Sequence, residues 1–261
     1  MKVLLYQFHL QKEGLVFAPS ESGDDNYGEY WKLSSESCKR YAEKWGWDYF
    51  FDNPTEEEWE PPFIPEPQFH QTFTPLKLLR NYDAIVKVDS DILIKPESPN
   101  VVKKYRGDGT NFVVNTPIGN VLEKISWGRT SINSGVIIYY KESLNTKDML
   151  GLTPSQDYTH KGIYMLCDYI KETRNNKRWW EDLEDFKPFL MKFPSGMYND
   201  ERLLSFLINL YSLPMSHLHF KFNFLLSDGN IKNILSDEAY FIHYVGSKKK
   251  YMEQHYNLIM G

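Results

Sequence analysis

The sequence has little cysteine, no long apolar run and no excess of positive charge. Cys38 and Cys167 are the only cysteines in 261 residues. Two thiols cannot staple a disulfide scaffold, and a reducing compartment is the default for such a chain. No stretch approaches the roughly 20 apolar residues of a membrane-spanning helix. Met1-Lys2-Val3-Leu4-Leu5-Tyr6 turns directly into a short strand, without the longer apolar stretch of a secretory leader. A cytoplasmic chain with no transmembrane segment is the expectation. Lysine and arginine number 30 against 35 acids, a net charge of -5, which argues against a nucleic-acid surface. Internal repeats and low-complexity segments are missing as well, so solenoid architectures are excluded.

What is present reads as an ordinary globule with an unusual share of rings. Aromatic residues make up 16% of the chain, and such side chains suit both cores and stacking on carbohydrate. Lys2 to Phe8 reads as a first strand. Tyr30, Leu33, Ser37, Tyr41 and Trp45 recur at helical spacing, and Gly46 ends that helix. Trp47 to Phe51 is a second strand. Strand, helix, strand is the start of a doubly wound α/β sheet. Further strands are expected at 84–88, 111–115, 222–226 and 239–245, and in the apolar run after the polar turn at 131–135. Residues 155–170, 175–186 and 200–211 read as helices, and 251–260 as a short tail. No domain boundary is visible, so one domain over 1–261 is expected.

Chemistry concentrates where Ala84-Ile85-Val86-Lys87-Val88 runs into Asp89-Ser90-Asp91. Ligands of open α/β sheets bind at the carboxyl ends of strands. Two aspartates one residue apart at such a mouth repel each other unless a cation lies between them. On residues alone the triplet is either a divalent-metal site or a solvated strand-to-turn junction. Three more stretches bear on the choice: Asn133-Ser134-Gly135-Val136 before a strand, Asp200-Glu201 at a helix start, and His243-Tyr244-Val245-Gly246-Ser247-Lys248-Lys249 near the end.

With Lys77 in the helix before the first of them, these four motifs resemble, in order, those of metal-dependent glycosyltransferases of the GT-A fold. The likeness is to the glycogenin and lipopolysaccharide galactosyltransferase-like group. Tyr41 to Tyr49 is also similar to galactomannan and mannan galactosyl/mannosyltransferases. The resemblance implies a single GT-A domain, a Rossmann-like, mostly parallel sheet flanked by helices, with a helical insertion near 150–194. It implies a nucleotide-sugar half over about 1–140 and an acceptor half over about 141–261. Asp89 and Asp91 would hold the metal, His243 would complete its site, and Lys249 would bind the pyrophosphate. Asn133 and Ser134 would line the donor-sugar pocket, with Ser90 and Lys77 reaching the donor. Two departures stand out. Asp200-Glu201 replaces the family's Asp-Gln, which puts any role for the amide hydrogens in doubt. Lys250-Tyr251 replaces the Pro-Trp that follows the family's lysine.

The implied reaction moves a hexose from a nucleotide sugar, with UDP-sugar favoured, to a carbohydrate or glycoconjugate acceptor, with retention. Two oxygens and an imidazole nitrogen suit Mn²⁺ well and Mg²⁺ acceptably. Gly246 would let the backbone approach the phosphates closely. Gln7, Phe8, His9 and Tyr27 are expected near the base, and Asp200 and Glu201 at the reacting sugar. Trp179 and Trp180, in the insertion, are candidates for acceptor contacts. Two alternatives are a sugar-phosphate nucleotidyltransferase and a non-catalytic carbohydrate-binding module. The first needs a glycine-rich basic loop after the first strand, whereas residues 11–28 carry Lys12 as their only cation beside Glu21, Asp24 and Asp25. The second accounts for the rings but not for the ordered motifs.

Overall fold

The computed structural model describes residues 1–10, 29–55, 71, 74–75, 78–79, 81–105, 112–115, 133–141, 215–227 and 229–261. Its elements in chain order are β1 (Val3–Phe8), α1 (Tyr30–Trp45), β2 (Asp48–Asp52), β3 (Ala84–Val88), β4 (Ile92–Ile94), α2 (Val101–Tyr105), β5 (Phe112–Asn115), β6 (Asn133–Tyr140), β7 (Met215–His217), β8 (Phe224–Leu225), β9 (Phe241–His243) and α3 (Met252–Met260). Among the described residues no helix is long and apolar enough to cross a membrane.

Six strands form the main sheet, in the order β2-β1-β3-β6-β5-β7. β1 pairs in parallel with β2 and β3, while β6 runs antiparallel to both β3 and β5, and β7 is parallel to β5. Five strands therefore point one way and β6 alone opposes them. β1 and β3 are buried along their whole length, and β6 from its second residue on. That matches their near-continuous apolar runs, because strands covered on both faces have no solvent side to alternate toward.

α1 supplies the crossover between β1 and β2. Gly46 stops it in the left-handed conformation, with φ of 66°, and its N–H closes on Ala42 and Glu43. The buried stripe of α1 is unusually polar. Ser34 Oγ donates to the carbonyl of Ile92 at 2.6 Å, and Ser37 Oγ accepts from Ile94 N–H at 3.1 Å. Among the described residues no strand covers that edge of β4, and these hydroxyls satisfy it.

The other edge of β4 builds a second sheet, ordered β4-β9-β8. Ile92 stands opposite His243 in antiparallel register, and β8 lies parallel to β9. A separate apolar cluster, including Leu93, Phe224, Ile242, Tyr244 and Met252, fills the space behind it. α3 is fastened there by Tyr244 Oη and His255 Nδ1, 3.0 Å apart.

Three expectations shift. Asn133 and Ser134 belong to β6 rather than to a turn, because Asn133 pairs with Asn115 across a register shift between β5 and β6. The late segments form two- and three-residue strands of the small sheet. Residues 252–260 form a helix, not a tail. The expected helices at 155–170, 175–186 and 200–211, with Trp179 and Trp180, lie outside the described residues.

Tyr41 ties α1 to α2: its buried hydroxyl donates to the Pro99 carbonyl at 2.7 Å and accepts from Val101 N–H at 3.0 Å. Tyr41→Phe strands that N–H and carbonyl. It is expected to cost about 1–3 kcal/mol of unfolding free energy in a urea titration, with the slope unchanged.

Candidate metal centre

The site forms where the two sheets meet. Asp89 and Asp91 follow β3 directly, and their backbones are pinned by both sheets. Asp89 N–H donates to the Gly135 carbonyl of β6 at 2.8 Å, and the Asp91 carbonyl accepts from Tyr244 N–H at 2.9 Å. His243, the last residue of β9, then brings its ring beneath the carboxylates. Its Nε2 lies 3.1 Å from Asp91 Oδ1 and 3.9 Å from Asp89 Oδ2. A ligand atom from each of the three residues lies within 4.8 Å of the others.

Gly135 makes this possible. A Cβ on that residue would stand 2.6 Å from both Cε1 and Nδ1 of His243. The imidazole therefore lies flat against bare backbone, and the glycine of the Asn-Ser-Gly motif serves the histidine of the late motif.

The residues fit a divalent ion. Among the described residues Asp91 Oδ1 is buried without a hydrogen-bond partner of acceptable geometry, an orphaned oxygen of the kind a bound ion would satisfy. Neighbouring ligands of an octahedral ion at 2.0–2.1 Å stand about 3 Å apart, which the Asp91–His243 separation matches. Two carboxylate oxygens and one imidazole nitrogen form a mixed, moderately hard donor set of the kind Mn²⁺ or Mg²⁺ accepts.

Two lysines balance the acids. Lys87, fully buried in β3, pairs with Asp89 and donates to the Ser134 carbonyl at 2.6 Å. Lys249 Nζ lies 3.2 Å from Asp91 Oδ2 and 5.0 Å from the Tyr30 ring centre. Burial alone would push the Asp91 carboxyl up, but His243 and Lys249 hold it well below the usual range. Burial works against the His243 imidazolium, yet Asp91 and Asp89 outweigh it and raise that group above its ordinary value. Lys249 is raised in the same way: burial opposes its charge, and Asp91 prevails.

The other residues singled out in the sequence are distributed as follows. Gln7 is fully buried and engaged on both sides of its amide: Nε2 donates to Ser34 Oγ at 2.9 Å and to the Asp89 carbonyl at 3.2 Å, and Oε1 accepts from Tyr49 Oη at 2.7 Å. Phe8 is buried in β1. His9, one residue further, is the one that reaches the site: its Nδ1 lies 3.2 Å from Ser90 Oγ, and its ring stacks on Trp31 at 5.3 Å. Ser134 is buried. Asn133 Oδ1 accepts from Gly135 N–H at 3.0 Å and from Asn223 Nδ2 at 2.6 Å. Gly246 has φ of 57° and opens the turn that carries Lys249. Tyr27, Lys77, Asp200 and Glu201 lie outside the described residues. Lys87, Tyr30, Trp31 and Asn223 were not anticipated, whereas His9 was, by its place at the end of the first strand.

No protein-family model matches the sequence, and no curated protein matches it. Solved structures do. A glycosyltransferase involved in the glycosylation of the major capsid of PBCV-1 aligns with a TM-score of 0.56 at 13% identity, over 99% of this chain and 100% of that one. Mouse xyloside xylosyltransferase 1 aligns at 0.46 and 10%, over 95% of this chain and 98% of that one. The glycosyltransferase GlyE of Streptococcus pneumoniae TIGR4 aligns at 0.44 and 11%, over 99% of this chain and 62% of that one. The last two likenesses carry no weight by themselves. The first establishes the fold: a GT-A-like α/β domain with a mostly parallel sheet flanked by helices.

Two predictions follow from this geometry. Gly135→Ala displaces the imidazole and is expected to weaken Mn²⁺ binding at least about tenfold by calorimetry. For His9, burial and Lys249 lower the imidazole from 6.5 to about 4. A depressed histidine contributes stability that is complete above the unfolded value and is lost as pH falls toward the folded one. Wild type should therefore lose stability between pH 6.5 and 4 more steeply than His9→Gln, compared by urea midpoints.

Proposed function

We propose that the chain is a metal-dependent glycosyltransferase that moves a hexose from a UDP-sugar to a carbohydrate or glycoconjugate acceptor, acting as one domain over residues 1–261. The observation that carries this reading is the convergence of Asp89, Asp91, His243 and Lys249 at the carboxyl end of β3. The GT-A-like fold supports it, since such sheets bind ligands at that edge.

The chemistry asked of the site is departure of a nucleoside diphosphate from the anomeric carbon. A divalent ion, Mn²⁺ first and Mg²⁺ second, would supply charge neutralisation at the diphosphate. Asp89, Asp91 and His243 would hold it. Lys87 keeps Asp89 aimed by engaging it from below. Lys249 sits on Asp91 from the open side, and its ammonium suits a phosphate as a point charge. Gly246 gives that lysine a tight turn free of a side chain. His9, Trp31 and Tyr30 form an aromatic wall beside Ser90 that suits a nucleobase. Tyr27 would extend that wall.

In the retaining course favoured by resemblance, the acceptor hydroxyl attacks the anomeric carbon on the face that the phosphate leaves. The carbon–oxygen bond to phosphate breaks, and the departing oxygen takes the acceptor proton. Asn133, Ser134 and Lys77 are assigned to the donor sugar, and Asp200 and Glu201 to the reacting centre.

Hydrolysis of UDP-sugars without acceptor tests this reading. Mn²⁺-dependent release of UDP from at least one of them is expected. Asp91→Asn should reduce it by more than about a hundredfold, since metal contributions to charge stabilisation amount to several kcal/mol. Lys249→Ala should raise the KM for the donor. Failure of Mn²⁺ to bind with UDP, or full turnover by Asp91→Asn, would sink the proposal.

A further inference from the structure

The ring of His243 presents different nitrogens to two different neighbourhoods. Nε2 faces Asp91 and Asp89, while Nδ1 lies 2.9 Å from the side-chain amide of Asn223. Which nitrogen carries hydrogen decides whether Nε2 has a lone pair to give. In water the neutral ring prefers its hydrogen on Nε2, the wrong arrangement for a ligand here.

A chain of hydrogen bonds anchored on the backbone removes the ambiguity. The N–H of Gly135 can only donate, and it points at a side-chain atom of Asn133 at 3.0 Å, so that atom is the oxygen. The same oxygen lies 2.6 Å from the amide of Asn223, which must meet it with nitrogen. Asn223 then turns its own oxygen to His243. An oxygen facing Nδ1 at 2.9 Å requires hydrogen on Nδ1, whether the ring is neutral or charged. Asn223 is 2% exposed and His243 5%, so this order is set inside the protein.

We infer that Asn223, held by Asn133 and the Gly135 N–H, is a positioning residue that fixes His243 in the Nδ1–H form and aims the Nε2 lone pair at the carboxylates. Outer partners that orient a ligating histidine usually act through a carboxylate or a carbonyl. Here the carbonyl belongs to a side chain whose own direction is set by a main-chain donor two links away. Gly135 thus acts twice, since its N–H starts the relay and its missing Cβ leaves room for the ring. The inference rests on the metal reading above for its purpose, but the ring's arrangement is measurable without metal.

The test is ¹⁵N NMR of histidine-labelled, metal-free protein at a pH above the imidazole's titration, with Mn²⁺ affinity measured by EPR on the same samples. Wild type should show Nδ1 protonated and Nε2 bare. Asn223→Ala should lose that bias, and its Mn²⁺ affinity should fall about 10–100-fold. Asn133→Asp offers an acceptor to the same two donors and should keep the tautomer. An Nε2–H ring in wild type, or undiminished Mn²⁺ affinity in Asn223→Ala, overturns the relay. The wild-type spectrum decides the point even if Asn223→Ala does not fold. Absence of Mn²⁺ binding to wild type alongside an Nδ1–H ring would overturn the metal reading and leave the relay standing.

Discussion

Like charge held at the end of a buried strand is the constraint around which this molecule is arranged. Asp89 and Asp91 stand where β3 leaves the core, and each needs opposite charge close by. Lys87 meets the first from within the sheet and Lys249 meets the second from the open side. The four charges cancel, and Asp91 and Asp89 raise the His243 imidazole above its ordinary value against the effect of burial. A divalent ion entering such a site would compete with an ammonium instead of filling an empty negative hole. The negative charge of a diphosphate would give that ammonium somewhere to go.

Much of the surrounding architecture serves this arrangement. The reversal of β6 brings the Ser134 and Gly135 carbonyls to the same edge as the end of β3, where they accept from Lys87 and from Asp89 N–H. The small sheet exists to deliver His243. Its strands are two or three residues long and could not stand alone. They persist because Ser34 and Ser37 satisfy one edge and α3 covers a second core.

The parts legible in sequence were those whose signal is local. The apolar runs of β1, β3 and β6 and the helical stripe of α1 declared themselves by periodicity. Asp89, Asp91, His243 and Lys249 stood out because their spacings are short and their residue types distinctive. Gln7 was read as facing a ligand because it lies near a strand end, but its amide turns inward. Lys87 went unremarked because a lysine in an apolar strand looks like a solvent-facing exception, and its counter-ion is visible only in three dimensions. Asn223 had no signature at all: its partners are 20 and 90 residues away in the chain. The direction of β6 leaves no trace in its composition, and the small strands fall below any window over which alternation can be counted.

The separation between the main sheet and its last ligand has a consequence for how the protein is made. All six strands of the main sheet come from residues 3–217, whereas the imidazole arrives at position 243 and the paired ammonium at 249. A nascent chain on the ribosome can thus complete its largest sheet while the site still lacks a nitrogen ligand and a phosphate-facing cation. Chemical competence therefore follows the main sheet, because Asp89 and Asp91 wait on side chains that lie beyond its last strand, a delay of seconds at roughly 5–20 residues per second.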